Sequence, residues 1–440
     1  MSAAAALDRC REALPEVAPL AIEGRVCSLV GTLVEAEGLR SAVGALVRIS
    51  GGGAAVAAEV VGFRGERTLL VPLDDPSGLA AGARVSPSPE IDAAPDGAAC
   101  LGRVLDGLGR PVDGGPPLPR RSRSRSRARA VAALRRRRIE RPVDLGVRAI
   151  NAFLTVGEGS RLGLFAGSGV GKSVLLGQIA RGTRADANVI ALIGERGREV
   201  REFVERDLGD ALARSVVVVA TSDEAPVLRK RAALLASSLA EDLRARGSQV
   251  LLLMDSLSRF CAAQREIGLA AGEPPATRGY PPSVWSALPQ LLERAGNAEG
   301  PGGITGLYTV LVEADDPEDP IADACRALLD GHIVLSRKLA ERGRYPAIDV
   351  LASVSRVMRD VVAPEQQALA ARARAVLATF ADAEDLVSLG AYPAGSDPRI
   401  DEALRLAPRL RAFLAQDRDE RAGVSESFAA LAAALGGETR

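Results

Sequence analysis

The chain has 440 residues, of which 47% are hydrophobic and 25% charged, and its 56 basic and 56 acidic side chains give a formal net charge of zero. A length of this kind predicts about three domains with sizeable cores. The balanced charge provides no bulk attraction to nucleic acid or to a membrane surface, and no apolar run approaches the roughly 18 residues that a transmembrane helix needs.

Five cysteines are scattered along the chain without a C-x-x-C pair, and the N-terminus lacks the pattern of a signal peptide. They are Cys10, Cys27, Cys100, Cys261 and Cys325. An odd count with neither disulfide nor zinc spacing indicates a reduced, cytoplasmic protein. The single histidine, His332, is expected to be structural, because no second histidine could help it to bind a metal.

The first domain is predicted from short β-type runs. Residues 1–22 are alanine-rich, with Leu7, Cys10 and Leu14 at helical spacing, which indicates a short helix that either frays or binds a partner. Between residues 23 and 92 the apolar runs shorten and are separated by glycine-rich or Asp-Pro turns. These runs lie at 26–34, 45–49, 54–62 and 68–71. Their spacing predicts a small β-barrel or sandwich.

A second domain is predicted from residue 98 to residue 362. Residues 101–114 predict its first strand and a tight turn. Residues 120–138 contain ten arginines and no acidic residue, which predicts a disordered or loosely held surface loop. Two interpretations of this loop stay open: a solvated linker, or a contact with an anionic surface such as membrane lipid or nucleic acid.

The stretch AGSGVGKS at 166–173 follows an apolar run and precedes a helical pattern. Strand, glycine-rich turn and helix in this order predict a P-loop, whose backbone N–H groups hold phosphate. Lys172 would contact the terminal phosphates, and the Ser173 hydroxyl would bind Mg²⁺. Lys172 is one of only three lysines in the chain, so a compact ammonium here favours a nucleotide site. The predicted phosphate-binding residues are Gly167, Ser168, Gly169, Val170, Gly171, Lys172, Ser173 and Val174.

Strands and helices alternate from residue 145 to residue 362, as in a mostly parallel α/β sheet. Strands are predicted at 188–194, 215–221, 249–254, 304–312 and 348–354, and helices near 200–208, 226–246 and 283–295. From residue 364 onward, alanine, leucine and arginine recur at helical spacing, with a break at 390–398. We therefore expect a helical C-terminal domain at 363–440.

Two carboxylates are predicted beside the P-loop. Asp255 ends an apolar strand, at a position suited to holding Mg²⁺. Glu195 ends a neighbouring strand, and ligands of such sheets bind beyond the carboxyl ends of the strands. Glu195 would therefore be a general base or position the attacking water, and Arg196 would neutralise phosphate charge. The alternative for Glu195 and Arg196 is that they belong to a run of surface Glu and Arg residues.

Longer motifs resemble one family. They are residues 194–200, 255–260 (DSLSRF), 272–285 (GEPPATRGYPPSVW), 330–338 (DGHIVLSRK) and 345–356 (YPAIDVLASVSR). With them the chain resembles the type III export ATPases, which are similar to the catalytic subunit of rotary ATP synthases. The P-loop sequence is more similar to the flagellar branch than to the virulence-injection branch.

This resemblance implies an N-terminal β-barrel, a RecA-like P-loop ATPase domain and a helical C-terminal domain. It implies a cytoplasmic homohexamer at the inner-membrane export gate that hydrolyses ATP with Mg²⁺. A coiled-coil stalk protein, a stator-like regulator on the N-terminal segment and export chaperone–cargo complexes are the implied partners. Arg356 matches the arginine finger supplied to a neighbouring subunit. Tyr345 matches the aromatic residue that stacks on adenine, with Tyr392 on the other side of that pocket.

Other functions fit the sequence less well. A non-catalytic ring subunit is expected to lack the carboxylate at position 195, and a rotary ATP synthase subunit matches residues 272–285 poorly. An RNA-translocating ring ATPase would need base-stacking aromatics in its N-terminal domain. Aromatic residues make up only 3% of the chain, and the barrel region offers little beyond Phe63. No nucleic-acid partner is therefore expected.

Overall fold

The structure, a computed structural model, describes residues 22–51, 54–88, 93–120, 130–312 and 319–436. The predictions for Cys10 and for the N-terminal segment up to residue 21 lie outside these ranges, as does the part of the arginine-rich stretch at 121–129. Within the described ranges, no helix combines the length and the apolar character that crossing a membrane requires.

The first compact unit is a closed barrel of six antiparallel strands in the order β1-β2-β5-β4-β3-β6. The strands are β1 (Gly24–Val30), β2 (Leu33–Glu37), β3 (Leu46–Ser50), β4 (Val56–Arg64), β5 (Arg67–Pro72) and β6 (Arg84–Pro87). Alternate side chains fill its interior, and Val34, Ile49 and Leu70 are fully buried. The run predicted at 26–34 forms two strands, because Gly31 turns the chain with a φ of +59°.

The second compact unit contains a largely parallel sheet in the order β17-β16-β10-β15-β13-β11-β12-β7, with β14 paired to β15. Its strands are β7 (Arg103–Asp106), β10 (Arg161–Ala166), β11 (Ala187–Glu195), β12 (Ser215–Thr221), β13 (Gln249–Asp255), β14 (Gly296–Asn297), β15 (Gly303–Leu311), β16 (Gly331–Leu335) and β17 (Ile348–Ser355). A separate pair is formed by β8 (Pro142–Val143) and β9 (Val156–Gly157). All five strands predicted after the P-loop are present, and β14 and β16 are additional ones.

Helices cover both faces of this sheet, as its apolar strands require. They are α1 (Arg148–Phe153), α2 (Lys172–Gly182), α3 (Gly197–Glu202), α4 (Pro226–Ala245), α5 (Leu257–Ala271), α6 (Pro282–Leu292), α7 (Pro320–Leu328), α8 (Arg337–Glu341) and α9 (Met358–Val361). The C-terminal helices are α10 (Pro364–Ser388), α11 (Pro398–Leu414) and α12 (Val424–Ala434). Buried residues of these last three helices, such as Leu406 and Phe428, share one apolar core with α1 and α2.

Three arginines of the arginine-rich stretch are held by hydrogen bonds and ion pairs. Residues 130–138 lie along the segment 293–302, and three consecutive arginines bind that segment. Arg135 forms two 2.6 Å bonds to the Glu299 carboxylate, Arg136 pairs with Glu293 at 2.9 Å and donates to the Ala295 carbonyl, and Arg137 donates to the carbonyls of Ala298 and Pro301. For these three arginines the prediction of a loosely held loop is wrong, because their guanidinium groups supply donors to a carbonyl-rich turn.

Candidate functional site

The P-loop forms the turn between β10 and α2. Gly169 and Gly171 have φ values of +77° and +88°, a left-handed conformation that glycine adopts without steric cost. A Cβ atom on Gly169 would meet open space, and one on Gly171 would lie 3.4 Å from the Tyr345 ring. Gly171 caps α2 without a side-chain hydrogen bond, so the first N–H groups of α2 have no side-chain cap. Such a turn can hold a phosphate.

Lys172, the first residue of α2, joins the two predicted carboxylates. Its Nζ atom lies 2.5 Å from Oδ1 of Asp255 and 3.2 Å from Oε1 of Glu195. Glu195 and Asp255 end the parallel strands β11 and β13, which are hydrogen-bonded neighbours. The carboxyl ends of parallel strands meet at one edge of the sheet, and this edge faces the P-loop.

A residue that the sequence analysis missed supports this cluster. Thr309, on β15, donates a 2.6 Å hydrogen bond from its hydroxyl to Oδ1 of Asp255. Residue type alone did not single it out, because β15 contains a second threonine, Thr305. Both bonds to Asp255 go to Oδ1, so Oδ2 has no hydrogen-bond partner among the described residues.

Burial and charge act in opposite directions on these groups. Burial raises the pKa of the Glu195 carboxyl above its usual range, and the Lys172 ammonium opposes this shift. Burial also raises the pKa of Asp255, again against the effect of Lys172. Burial alone would lower the pKa of Lys172, but the two carboxylates raise it, so the ammonium stays charged at neutral pH.

The remaining P-loop residues differ in exposure. Gly167 and Val170 are buried, whereas Ser168, Ser173 and Val174 are exposed at the turn and in the first turn of α2. Oxygen donors such as the Ser173 hydroxyl and Oδ2 of Asp255 suit Mg²⁺, which typically takes one or two protein ligands beside phosphate oxygens. The described residues contain no group of three or more His, Cys, Asp or Glu side chains that could hold a metal ion. These two donors therefore fit a Mg²⁺ that nucleotide phosphates help to bind.

The structure does not bring the two predicted arginines to Lys172. The Arg196 side chain is 82% exposed and lies 3.8 Å from Glu199, with which it forms an ion pair. Arg356 follows β17, the edge strand, and is exposed. Because β17 runs antiparallel, Ser355 pairs with Gly331 at the amino-terminal end of β16, so Arg356 lies at the edge of the sheet opposite the P-loop. The six residues of β10 separate these edges by about 20 Å.

Of the two predicted adenine-pocket tyrosines, only Tyr345 lies near the P-loop, where its ring faces Gly171. It also lines a cavity of about 440 Å³ whose other walls include Pro346 and Phe380. Tyr392 does not line this cavity. Its hydroxyl lies 3.0 Å from the Asp397 carbonyl and 3.1 Å from Oδ1 of Asp401, within the connection between α10 and α11.

Three family models match consecutive parts of the chain. The β-barrel domain of the ATP synthase alpha/beta family matches residues 26–88, and the nucleotide-binding domain of that family matches residues 146–355. The C-terminal domain of the type III secretion ATPase EscN matches residues 362–433. The first two matches contain the barrel and the P-loop, and the third contains the C-terminal helices.

Curated relatives cover nearly the whole chain. The flagellum-specific ATP synthase of Pseudomonas aeruginosa is 51% identical over 98% of this chain and 97% of its own length. The flagellum-specific ATP synthase of Salmonella typhimurium is 52% identical over 93% of this chain and 92% of its own length. A type 3 secretion system ATPase of Xanthomonas euvesicatoria is 49% identical over 92% of this chain and 93% of its own length.

Solved structures show the same fold. The assembled ATPase EscN from the type III secretion system of enteropathogenic E. coli has a TM-score of 0.88 and 42% identity, over 94% of this chain and all of that one. EscN in complex with its central stalk EscO has a TM-score of 0.85 and 41% identity, over the same share of each chain. The chain thus belongs to the family of flagellum-specific ATP synthases and type III secretion ATPases.

Proposed function

We propose that this chain is the ATPase of a flagellar type III export apparatus, where it hydrolyses ATP with Mg²⁺ to energise protein export. One observation carries the chemistry: Lys172 contacts both Glu195 and Asp255 beside a P-loop whose backbone can hold phosphate. The relatives that cover more than nine-tenths of the chain support the export role.

Each residue of the cluster has a proposed role. The backbone N–H groups of residues 167–174 hold the phosphates, and the Lys172 ammonium contacts the terminal ones. Ser173 and Asp255 would hold Mg²⁺, which supplies positive charge beside the phosphates. Glu195 positions the attacking water and accepts its proton as the bond to phosphorus forms.

The nucleotide base has a proposed place as well. The Tyr345 ring, next to Gly171, stacks on adenine. Arg196 is proposed to neutralise phosphate charge. Its exposed side chain must leave Glu199 to reach the phosphates, so we expect it to move when nucleotide binds. A role for Tyr392 in closing the adenine pocket requires a rearrangement of the α10–α11 connection, because its hydroxyl is bonded there.

Arg356 is proposed to act on a neighbouring subunit. About 20 Å of sheet separates it from Lys172 of its own chain, whereas it is exposed beside an edge strand. An arginine supplied in trans stabilises charge on the transferred phosphoryl group and contributes roughly 10³–10⁵ in rate. Mixing Arg356→Ala with Lys172→Ala tests this role, because mixed rings contain interfaces where an intact Lys172 faces an intact Arg356. Partial recovery of ATPase activity is expected, and mixed rings as inactive as both parents would contradict it.

The proposed assembly is a homohexameric ring on the cytoplasmic side of the membrane export gate. The EscN structures, one assembled and one in complex with a central stalk, support a ring and a stalk partner for this chain. A regulator on the N-terminal segment and chaperone–cargo complexes complete the proposed set of partners.

The export role is tested by replacing the Salmonella typhimurium relative, which is 52% identical, with this chain. Motility should return with the wild-type chain and remain absent with Glu195→Gln produced at the same level. The alternative function is that of a virulence type III secretion ATPase, which the 49% identical Xanthomonas relative favours. An active ATPase that leaves motility absent would favour that alternative over the flagellar role.

A further inference from the structure

Two hydrogen bonds hold Arg356 in place. Its Nη2 atom donates to the backbone carbonyl of Arg326 over 3.0 Å, and its backbone N–H donates to the Asp330 carbonyl over 2.9 Å. Arg326 lies in the last turn of α7, where backbone carbonyls have no N–H donor within the helix and can accept from other groups. The guanidinium of Arg356 is therefore fixed by the position of the C-terminal end of α7.

The side chain of Arg326 fixes that end of α7 to the P-loop strand. Its guanidinium carbon lies 4.9 Å from the centre of the Phe165 ring, a cation–π contact. Phe165 is 2% exposed and lies in β10, two residues before Gly167. The contact thus connects α7 with the strand that carries the P-loop.

The Phe165 ring has little freedom to move. The His332 ring packs edge-on against it, with 5.8 Å between the ring centres. A Cβ atom on Gly163 would lie 2.4 Å from Cε2 of Phe165, so the ring occupies the space that this glycine leaves. A rigid ring is a suitable anchor for Arg326.

We propose that Arg326 is a positioning residue, which holds Arg356 in the geometry needed at the active site of the neighbouring subunit. This inference rests on the proposed trans role of Arg356. Arg326 is half-buried, and it contacts Arg356 through its backbone carbonyl. Its cation–π contact fixes the carbonyl, and the carbonyl fixes the Arg356 guanidinium.

The first test is the kinetics of Arg326→Leu, which removes the charge over the ring and keeps a side chain of helix-forming type. A misplaced finger should lower kcat by about tenfold and leave KM for ATP within about twofold, because ATP binding depends on the P-loop of the other subunit. An unchanged kcat would overturn the proposal.

The second test separates an effect on the neighbour from an effect on the variant's own P-loop. When Arg326→Leu is mixed with Lys172→Ala, the Lys172→Ala subunits supply a well-placed Arg356 to active sites of the variant. The rate per Arg326→Leu protomer should rise about fivefold in an equimolar ring, because about half of its neighbours then carry an intact finger. Damage to its own P-loop would not be relieved by a neighbour.

The third test is a double-mutant cycle with Arg356→Lys. If Arg326 acts only through Arg356, adding Arg326→Leu to Arg356→Lys should lower kcat by less than about twofold further. Arg265→Leu is the matched control, because Arg265 also lies over an aromatic ring, 5.2 Å from the centre of Tyr280. In the double variant with Arg356→Lys, the fold-loss in kcat caused by Arg265→Leu should multiply that caused by Arg356→Lys. If the fold-losses of Arg326→Leu and Arg356→Lys multiplied in the same way, the proposal would be overturned.

The mixing results distinguish this inference from the proposed function. The mixture of Arg356→Ala with Lys172→Ala could regain ATPase activity while the mixture of Arg326→Leu with Lys172→Ala gains none. The proposed role of Arg326 would then be wrong, and the trans role of Arg356 would be supported. If neither mixture gains activity, the trans finger falls and this inference falls with it. Should Arg326→Leu not assemble, Phe165→Leu, which removes the ring instead, is measured against the same expectations.

Discussion

The ammonium of Lys172 donates a 2.5 Å hydrogen bond to Oδ1 of Asp255, which is 3% exposed. A buried carboxylate without a charged partner would be strongly destabilised, so this contact opposes the rise in pKa that burial causes in Asp255. The same ammonium lies 3.2 Å from Glu195. One cation thus compensates two carboxylates and is at the same time the phosphate-binding residue that we propose.

We predict that Lys172→Ala weakens ATP binding, because it removes the proposed direct contact to the terminal phosphates. The variant also leaves Glu195 and Asp255 facing each other without a cation, so negative charge would repel the nucleotide further. The dissociation constant should rise by about tenfold or more. Titration with a fluorescent ATP analogue measures it, and Lys230→Ala, which changes another lysine, should bind as the wild type does.

Glu195→Gln is predicted to separate binding from turnover. The amide keeps the shape of the side chain and cannot accept a proton, so kcat should fall by about 10²–10⁴ while nucleotide affinity changes little. Glu205→Gln, at an exposed position that pairs with Arg201, is the control and should hydrolyse ATP normally. Equal losses of affinity and of turnover in Glu195→Gln would contradict the role of a base.

The pH dependence of hydrolysis should report the same carboxylate. In its proposed role as a base Glu195 must be ionised, and burial raises its pKa above the ordinary value of 4.5. Activity should therefore be low in acid and rise with pH, with a midpoint above that ordinary value. The pH profile of kcat/KM measures this midpoint. A midpoint at or below 4.5, or the same rise in the residual activity of Glu195→Gln, would assign the titration to another group.

Local patterns were sufficient to predict the core of the site. The P-loop needs a strand, a glycine-rich turn and a helix that are contiguous in sequence, and these formed as β10, residues 167–171 and α2. Glu195 and Asp255 were predictable because each ends an apolar strand, and strand order in a parallel sheet then brings the two ends together. Their roles remain predictions, whereas their proximity is a property of the fold.

Contacts distant in sequence were not predictable. Arg136 binds the Ala295 carbonyl, 159 residues away, and a backbone carbonyl leaves no trace in residue type. The arginines therefore resembled a solvated tract. Helix α5 and strand β16 were not predicted either. Helix α5 begins within the motif at 255–260, whose residues indicated a family rather than a helix. Strand β16 is only five residues long, and every second side chain in it is half-buried.

The docked arginines are predicted to stabilise the fold. Arg136→Ala leaves the Glu293 carboxylate with Arg161 alone and removes a donor from the Ala295 carbonyl. Arg137→Ala likewise leaves the Ala298 carbonyl without a donor and the Pro301 carbonyl with Gln249 alone. Each substitution should lower the free energy of unfolding by about 1–3 kcal/mol. Chemical denaturation measures this, with Arg138→Ala as the control because the described residues offer the Arg138 side chain no hydrogen bond.

The two tyrosines should respond differently to substitution. Tyr345→Ala removes the ring beside Gly171 and should raise KM for ATP by about tenfold, whereas Tyr345→Phe keeps a stacking surface and should stay near the wild-type value. Tyr392→Phe removes only a hydroxyl that bonds to Asp397 and Asp401. It should lower the free energy of unfolding by about 1 kcal/mol and leave KM unchanged.

Steady-state kinetics and denaturation of four tyrosine variants, the three above and Tyr392→Ala, together decide where the base binds. A loss of stability without a change in KM for Tyr392→Phe would place that hydroxyl in the α10–α11 connection alone. Because a phenylalanine ring stacks as well as a tyrosine ring, Tyr392→Ala is the sharper comparison for a direct contact. If Tyr392→Ala raised KM as much as Tyr345→Ala while the fold stayed intact, the α10–α11 connection would have to move toward Tyr345 when ATP binds. An unchanged KM in Tyr345→Ala would remove adenine from this position altogether.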